Sequence, residues 1–403
     1  MRDIDSLIKT ARRYYTMIAL LVLNTLIVLG GLELASIAAT RFRASFQTKE
    51  ETIPDPRAKS SYYISEKWAP EYWQEFSQSR KQQYYPYTVW RRAPFKGKTI
   101  NIDEHGIRAT PGNDCGPKAL KIFTFGGSPM WGTGSPDWGT IPAYLQEDFQ
   151  KLRGRPVCVL NFGESGYVST QSVIELILQL HSGNIPDIAI FFDGSNDVYT
   201  GYQSGKSGVH ENLAVIAAKL QGTGQPGLPT QMLESLSLFR LVRNQLARFA
   251  APPTKRMLTY ETAGVGKDEL SKAIVSTYLG NYEVVNSLAQ KFHFQHFFFW
   301  PPYITKGNKL LTDEEKRLAS ADDASLGRLY DSVYEMMDPL TEKYENLNSL
   351  TDIFDDQKGL LWLDNTHVTP VGNELIARRM VQVIEGSRSK NSPLPVSSIS
   401  NGY

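Results

Sequence analysis

The sequence predicts an α/β protein: a parallel β-sheet covered by helices on both faces, joined to an N-terminal transmembrane helix. Three observations carry that expectation. From residue 119 onward, short apolar runs alternate with longer stretches of helical periodicity. Turns rich in glycine, serine, asparagine and aspartate close the apolar runs. One uniformly apolar stretch of bilayer length lies near the N-terminus.

That stretch is Tyr15–Ala39, interrupted only by Asn24 and Glu33. About 20 residues at 1.5 Å each cover the hydrocarbon core. Arg2, Lys9, Arg12 and Arg13 precede it against Asp3 and Asp5, and Arg41 and Arg43 follow. This excess on the amino side predicts a cytoplasmic leader over 1–14, an anchor over 15–39 and an exported remainder. A cleaved signal peptide is the rival reading. It fits less well, because Ile37 stands badly before a cut after Ala39 and the apolar run is long.

Composition narrows the function classes. With 403 residues, 41% hydrophobic and 21% charged, the chain has ample material for a large core. A net charge of +1 gives no bulk attraction to nucleic acid. No zinc-like Cys/His spacing occurs, so no metal is expected. Cys115 and Cys158 are too few for a disulfide framework. Cys158 falls in an apolar run, so two separate buried thiols are expected, with a single bridge as the alternative in an oxidising compartment.

Residues 40–117 read as a stalk with accessory strands. The aromatics from Tyr62 to Tyr85 are expected to pack on the main domain, with a sugar-binding surface as the alternative. A short amphipathic helix is expected over Pro70–Tyr84. Thr88–Arg92 and Thr99–Ile102 read as a hairpin-like pair, with a turn at Asp103–Gly106.

The main domain spans 118–386. Its expected strands are Ala119–Phe125, Val157–Phe162, Ile188–Phe192 and Phe294–Trp300. Its expected helices are Ile141–Leu152, Thr170–Leu180, Lys267–Lys291, Asp322–Tyr344 and Pro370–Ile384. Residues 199–261 break the alternation. They read as an insertion over the carboxyl edge of the sheet, with one basic helix around Leu236–Phe249. The tail 387–403, rich in Ser, Asn and Pro, reads as disordered.

Four short stretches carry chemistry. Gly126-Gly127-Ser128 ends the first strand, where glycines allow a sharp turn that lifts the serine clear. Asn161–Gly166 (NFGESG) follows the second strand and Asp193–Asp197 (DGSND) the third. Asp364–His367 (DNTH) precedes the last helix. Each is an ordinary turn sequence alone. Together they supply a nucleophile, a base, a carboxylate to orient it and donors for an oxyanion. Asp364 and His367, three apart, project from one side if the segment takes a helical turn. Asn196 offers a side-chain amide, and Gly166 and Ser128 offer backbone N–H groups. Asp197 reads as a loop-fixing residue. His181, His210, His293 and His296 read as structural. Trp131 and Trp138 read equally as aromatic walls for a sugar or as a lid packed on the core.

This set resembles the SGNH hydrolase family, also called GDSL-like esterases and lipases, over about Lys121–Gly386. The local Gly-Gly-Ser-Pro departs from the Gly-Asp-Ser-Leu of many members. The resemblance implies a three-layer, flavodoxin-like α/β/α fold. It also implies a catalytic set of Ser128, Asp364 and His367, and an oxyanion hole of Ser128, Gly166 and Asn196. No cofactor is implied. The Gly-Gly-Ser form looks like envelope-anchored bacterial members, some of which act on polysaccharide. The expected activity is therefore hydrolysis of O-acyl esters on a small molecule or glycan, with the membrane as the other partner. Two alternatives stay open: a polysaccharide O-acetyltransferase using the same residues, and a non-catalytic envelope assembly or binding protein on this scaffold.

Overall fold

The computed structural model describes residues 2–46, 55–221, 233, 235–249 and 259–391. The chain divides into two compact units. One holds residues 1–52 with 215–256, and the other holds 53–214 with 257–403.

In the first unit a single helix covers Arg2–Phe46, and the expected span Tyr15–Ala39 lies wholly inside it. Its Ser6–Phe42 portion is long and apolar enough to cross a membrane. The other long element of this unit is the Ser237–Phe249 helix, which matches the basic helix expected near Leu236. The sequence places residues 199–261 as one insertion in the sheet domain. The structure instead groups 215–256 with the N-terminal helix.

The second unit opens with two small antiparallel pairs. Strand β1 (Gln82–Tyr85) pairs with β2 (Val89–Arg92), and β3 (Phe95–Lys96) with β4 (Asn101–Ile102). The hairpin expected between the Thr88 and Thr99 segments is therefore corrected: each finds its own neighbour. The helix expected to reach Tyr84 covers Ala69–Gln78. Ser79 ends it by turning its hydroxyl back onto the Phe76 carbonyl, and the chain then extends into β1.

Five parallel strands form the core sheet: β5 (Leu120–Gly126), β6 (Val157–Asn161), β7 (Ile188–Phe192), β8 (Gln295–Trp300) and β9 (Leu347–Ser349). Their spatial order is β6-β5-β7-β8-β9, the flavodoxin-like order, with the switch point between β5 and β7. Alternation on these buried strands sends side chains to two cores. Ile122, Ile190 and Phe299 meet the Ile141–Arg153 and Pro370–Asn391 helices. Phe123, Phe191 and Phe298 meet the Ser169–His181, Lys267–Phe292 and Ala324–Lys343 helices. On that second face Phe125 stacks on Phe191 at 4.8 Å and Phe191 on Phe298 at 4.4 Å, each pair in register across neighbouring strands. This ladder fixes register where three strands carry runs of phenylalanine.

Strand β6 lies at the sheet edge, where unpaired backbone invites wrong partners. The segment before β5 covers that edge. The Asn113 side chain both donates to the Val159 carbonyl and accepts from its N–H, and Asp114 N donates to the Val157 carbonyl. That docking sets Cys115 beside Cys158, with Cα atoms 4.8 Å apart, and the two form a disulfide. The expected pair of separate thiols is thus corrected. The cysteine is on a core strand, but the strand is an edge and its neighbour carries the partner.

The aromatics of the 55–85 segment are largely packed inward: Tyr63, Tyr72 and Phe76 are buried, and Trp68 and Trp73 pack edge-on among them. The last helix extends to Asn391, past the expected Ile384. The rest of the expected tail, 392–403, lies outside the described residues.

Candidate active site

Strand β5 ends at Gly126, whose φ of +154° lies in the region that favours glycine. A Cβ there would meet the Phe192 carbonyl oxygen at 2.5 Å. A Cβ on Gly127 would lie 2.3 Å from Asn196 Nδ2, so the absent side chain is what lets the asparagine amide close on the turn. Ser128 then opens a one-turn helix, Ser128–Trp131. Pro129 sits in its first turn, where the missing N–H has no intrahelical use. The sequence oddity after the serine is therefore a good helix start.

His367 Nε2 lies 2.8 Å from Ser128 Oγ, 239 residues away in sequence. On the other side of the ring, His367 Nδ1 meets Asp364 Oδ2 at 2.7 Å. The expected helical turn is corrected to a bend: Asp364 Oδ1 accepts from the backbone N–H of Thr366 at 2.9 Å and of His367 at 2.8 Å. The same carboxylate that meets the ring thereby builds the loop that presents it. Thr369 caps the following helix, its hydroxyl accepting from Gly372 N.

Asn196 leaves β7 on the far side of the switch point, in the first turn of the Ser195–Ser204 helix. Its Nδ2 donates to the Tyr167 carbonyl at 2.8 Å. Asp197 accepts from both the N–H and the hydroxyl of Ser169, which ties this turn to the helix after β6. Burial pushes the Asp197 carboxyl up to about 6. Gly166, with φ +79°, closes the NFGESG loop. Ser128, Gly166 and Asn196 line one cavity of about 390 Å³. Asp364, His367 and Asn196 line an adjoining cleft of about 630 Å³. The two share Arg57, Asn196, Tyr199 and Glu211 as walls.

All five residues singled out from the sequence thus meet at the carboxyl edge of the sheet. Sequence reasoning missed Arg57. Its guanidinium forms a two-pronged pair with Asp55, Nε to Oδ1 and Nη2 to Oδ2, each at 2.8 Å. Its remaining Nη1 reaches Asp364 Oδ2 at 3.3 Å and lies 3.1 Å from His367 Nδ1. Burial alone would push the Asp364 carboxyl up. The neighbouring His367 and the Arg57 charge more than offset this and hold it well below the usual carboxylate range. Arg57 stands 307 residues before Asp364 with no spacing signal, so only the fold reveals the contact.

Two further arginines brace the loops. Arg108 is wholly buried. It pairs with Asp137 at 2.9 Å and donates to the carbonyls of Trp131, Gly132 and Ser135. It therefore holds the loop that follows Ser128. The backbone N–H of Arg92 donates to Glu164, and its guanidinium reaches Ser165 Oγ at 3.0 Å, beside Gly166. Trp131 is sandwiched between these two guanidinium groups, 3.8 Å from Arg92 and 4.2 Å from Arg108. It is a packed residue, not a wall for a sugar. Trp138 stays about half exposed, edge-on to Trp68. Glu211 turns its carboxyl toward Gly166, whose Cβ would lie 2.4 Å from Oε2, and burial raises its pKa. His296 is buried in the core and pushed down to about 4. His210 packs edge-on against Trp90. Neither lines the two clefts.

The geometry can activate a hydroxyl for attack on an acyl carbon. Among the described residues there is no group of three or more His, Cys, Asp or Glu that could hold a metal ion. The sequence model of the GDSL-like Lipase/Acylhydrolase family matches residues 122–380, which include all five site residues. No curated protein matches the chain. Among solved structures it is similar to the acetyl xylan esterase AlAXEase, at 16% identity over 66% of this chain and 100% of that one, TM-score 0.34. It is similar to a lipolytic protein of the G-D-S-L family from Desulfitobacterium hafniense, at 12% identity over 66% and 99%, TM-score 0.35. It is also similar to Axe2, an acetylxylan esterase from Geobacillus stearothermophilus, at 17% identity over 66% and 94%, TM-score 0.33.

Proposed function

The chain belongs to the GDSL-like lipase/acylhydrolase family and is an ester-hydrolysing enzyme; on that premise we propose that Ser128, His367 and Asp364 carry the reaction on an O-acyl, chiefly O-acetyl, ester of an exported or envelope carbohydrate. Ser128 Oγ attacks the ester carbonyl while His367 Nε2 takes its proton. Asp364 fixes the ring tautomer and stabilises the imidazolium that forms. The oxyanion is held by the backbone N–H groups of Ser128 and Gly166 and by the Asn196 amide. His367 returns the proton to the leaving alcohol. Water, deprotonated by the same histidine, then releases the acid and restores the serine. None of these steps calls for a metal or organic cofactor.

The observation that carries this reading is the continuous chain from Ser128 Oγ through both ring nitrogens of His367 to Asp364. The apolar helix over Ser6–Phe42 supports an anchored protein. The lysine/arginine excess before it supports a catalytic unit outside the cytoplasm. The Cys115–Cys158 disulfide supports the same side, since such bonds persist in oxidising compartments. The test is turnover of 4-nitrophenyl acetate and of acetylated oligosaccharides. Wild type is expected to exceed Ser128→Ala by at least about 10³-fold. Equal rates would overturn the assignment of roles.

A further inference from the structure

We infer that the Ser237–Phe249 helix lies in the plane of the membrane–water interface, with its apolar side in the acyl boundary and its arginines among anionic lipid headgroups. This rests on the proposed anchor and adds a second membrane contact to it.

The first observation is the pattern. In SLFRLVRNQLARF, Leu238, Phe239, Val242 and Leu246 share one side of the helix, while Arg240 and Arg243 fall on the other. Val242 and Leu246 are exposed, at 50% and 64%, as are Leu233 and Leu236 just before them. Leu238 and Phe239 are half-buried, so the apolar side is open at Val242 and Leu246 rather than along its whole length. A basic amphipathic helix with such a side suits a lipid interface.

The second observation is where the helix is tied. Glu33 of the apolar N-terminal helix accepts from the first-turn N–H groups of Ser237 at 2.6 Å and Leu238 at 2.9 Å, one to each carboxylate oxygen. Those N–H groups have no intrahelical partner, and the helix N-terminus carries partial positive charge. The contact therefore answers two costs at once: a carboxylate inside an apolar span and the open start of a helix. Between residues 6 and 42, only Glu33, Ser36 and Ile37 are not exposed. Glu33 stands six residues before Ala39, so the attachment point is about 9 Å inside the outer end of the expected span. A helix pinned at that depth starts within the boundary region rather than in water.

The third observation is charge. Residues 215–256 hold six Lys or Arg residues and one Glu, whereas the whole chain carries a net charge of only +1. This concentration of positive charge matches an anionic lipid surface. The sequence alone showed a basic helix but gave no link to Glu33, some 200 positions away.

The test uses the full-length protein in vesicles of phosphatidylethanolamine and phosphatidylglycerol. The native cysteines are paired, so Leu246→Cys or Arg240→Cys presents a single thiol for an environment-sensitive dye. Lipid-borne spin labels are expected to quench the dye at 246 at least about threefold more than at 240, and aqueous iodide to show the reverse order. Quenching at 246 by iodide alone would overturn the inference. Protection from both quenchers would overturn it too, since a protein partner or a second copy would then cover the face. Carbonate extraction separates the two readings. Release of the protein would sink the anchor itself, whereas retention with an iodide-quenched 246 would sink only the interfacial helix. Hydrolysis of 4-nitrophenyl acetate at the wild-type rate checks that each labelled variant is folded.

Discussion

The loops at the carboxyl edge of the sheet and the segment 55–108 both reach the same site, but by different physics. The loops end in the side chains proposed to react, each set on a short turn: Ser128 after Gly126-Gly127, Asn196 after β7, and His367 on a bend made by its own Asp364. The earlier segment adds no nucleophile or base. It sends in Arg57, Arg92 and Arg108, the last two buried and Arg57 half-buried, each provided with carboxylate or carbonyl partners. On the proposed reading, one region carries the chemistry and the other holds its geometry. Reactive groups can be held by local turns, while rigidity against solvent takes long-range, satisfied charge.

The comparison breaks first at the reacting groups. His367→Ala is expected to lower kcat/KM on small acetyl esters about 10³–10⁴-fold with the melting temperature nearly unchanged, as read by initial rates and calorimetry. Arg108→Met should behave in the opposite way. It takes a donor from the Asp137 carboxylate and from three carbonyls in a dry site, so chemical denaturation should show a loss of about 3–5 kcal/mol. If Arg108→Met left stability intact and only slowed turnover, the division between the two regions would fail.

The disulfide sharpens the comparison at the sheet edge. It closes a loop of 43 residues, and chain entropy assigns such a closure about 4 kcal/mol. Cys115→Ser with Cys158→Ser, or reduction, should lower the denaturation midpoint accordingly, with activity at moderate temperature retained.

The smallest expected effect is the most diagnostic. Arg57 is the one member of the bracing segment that touches Asp364 and lies beside His367. Asp364 is held well below the usual range, so it stays ionised at all working pH values. Arg57→Met takes one donor from that carboxylate and leaves the Ser128–His367 contact in place, so kcat is expected to fall about tenfold with KM nearly unchanged. A residue that only packs would shift the denaturation midpoint and leave kcat in place.

The sheet was largely legible because its strands are buried on both faces and read as continuous apolar runs. Strand β9 was not, since Leu347–Ser349 is three residues long and mostly polar. The candidate set Ser128, Gly166, Asn196, Asp364 and His367 was legible because the first three follow strand ends and the last two precede the final helix. Arg57 was hidden because a half-buried arginine reads as a surface charge until its partners are known. The disulfide was hidden because one cysteine lies on an edge strand that only the strand order reveals. The Glu33 contact was hidden for a similar reason: a lone carboxylate near the end of an apolar run looks like a tolerated defect, not like the cap of another helix.

The account depends on an activated hydroxyl at Ser128. Fluorophosphonate treatment followed by peptide mass analysis measures that directly. A stoichiometric adduct on the peptide holding Ser128, abolished in His367→Ala, is the predicted result. An unlabelled Ser128, or an adduct that forms equally without His367, would contradict it.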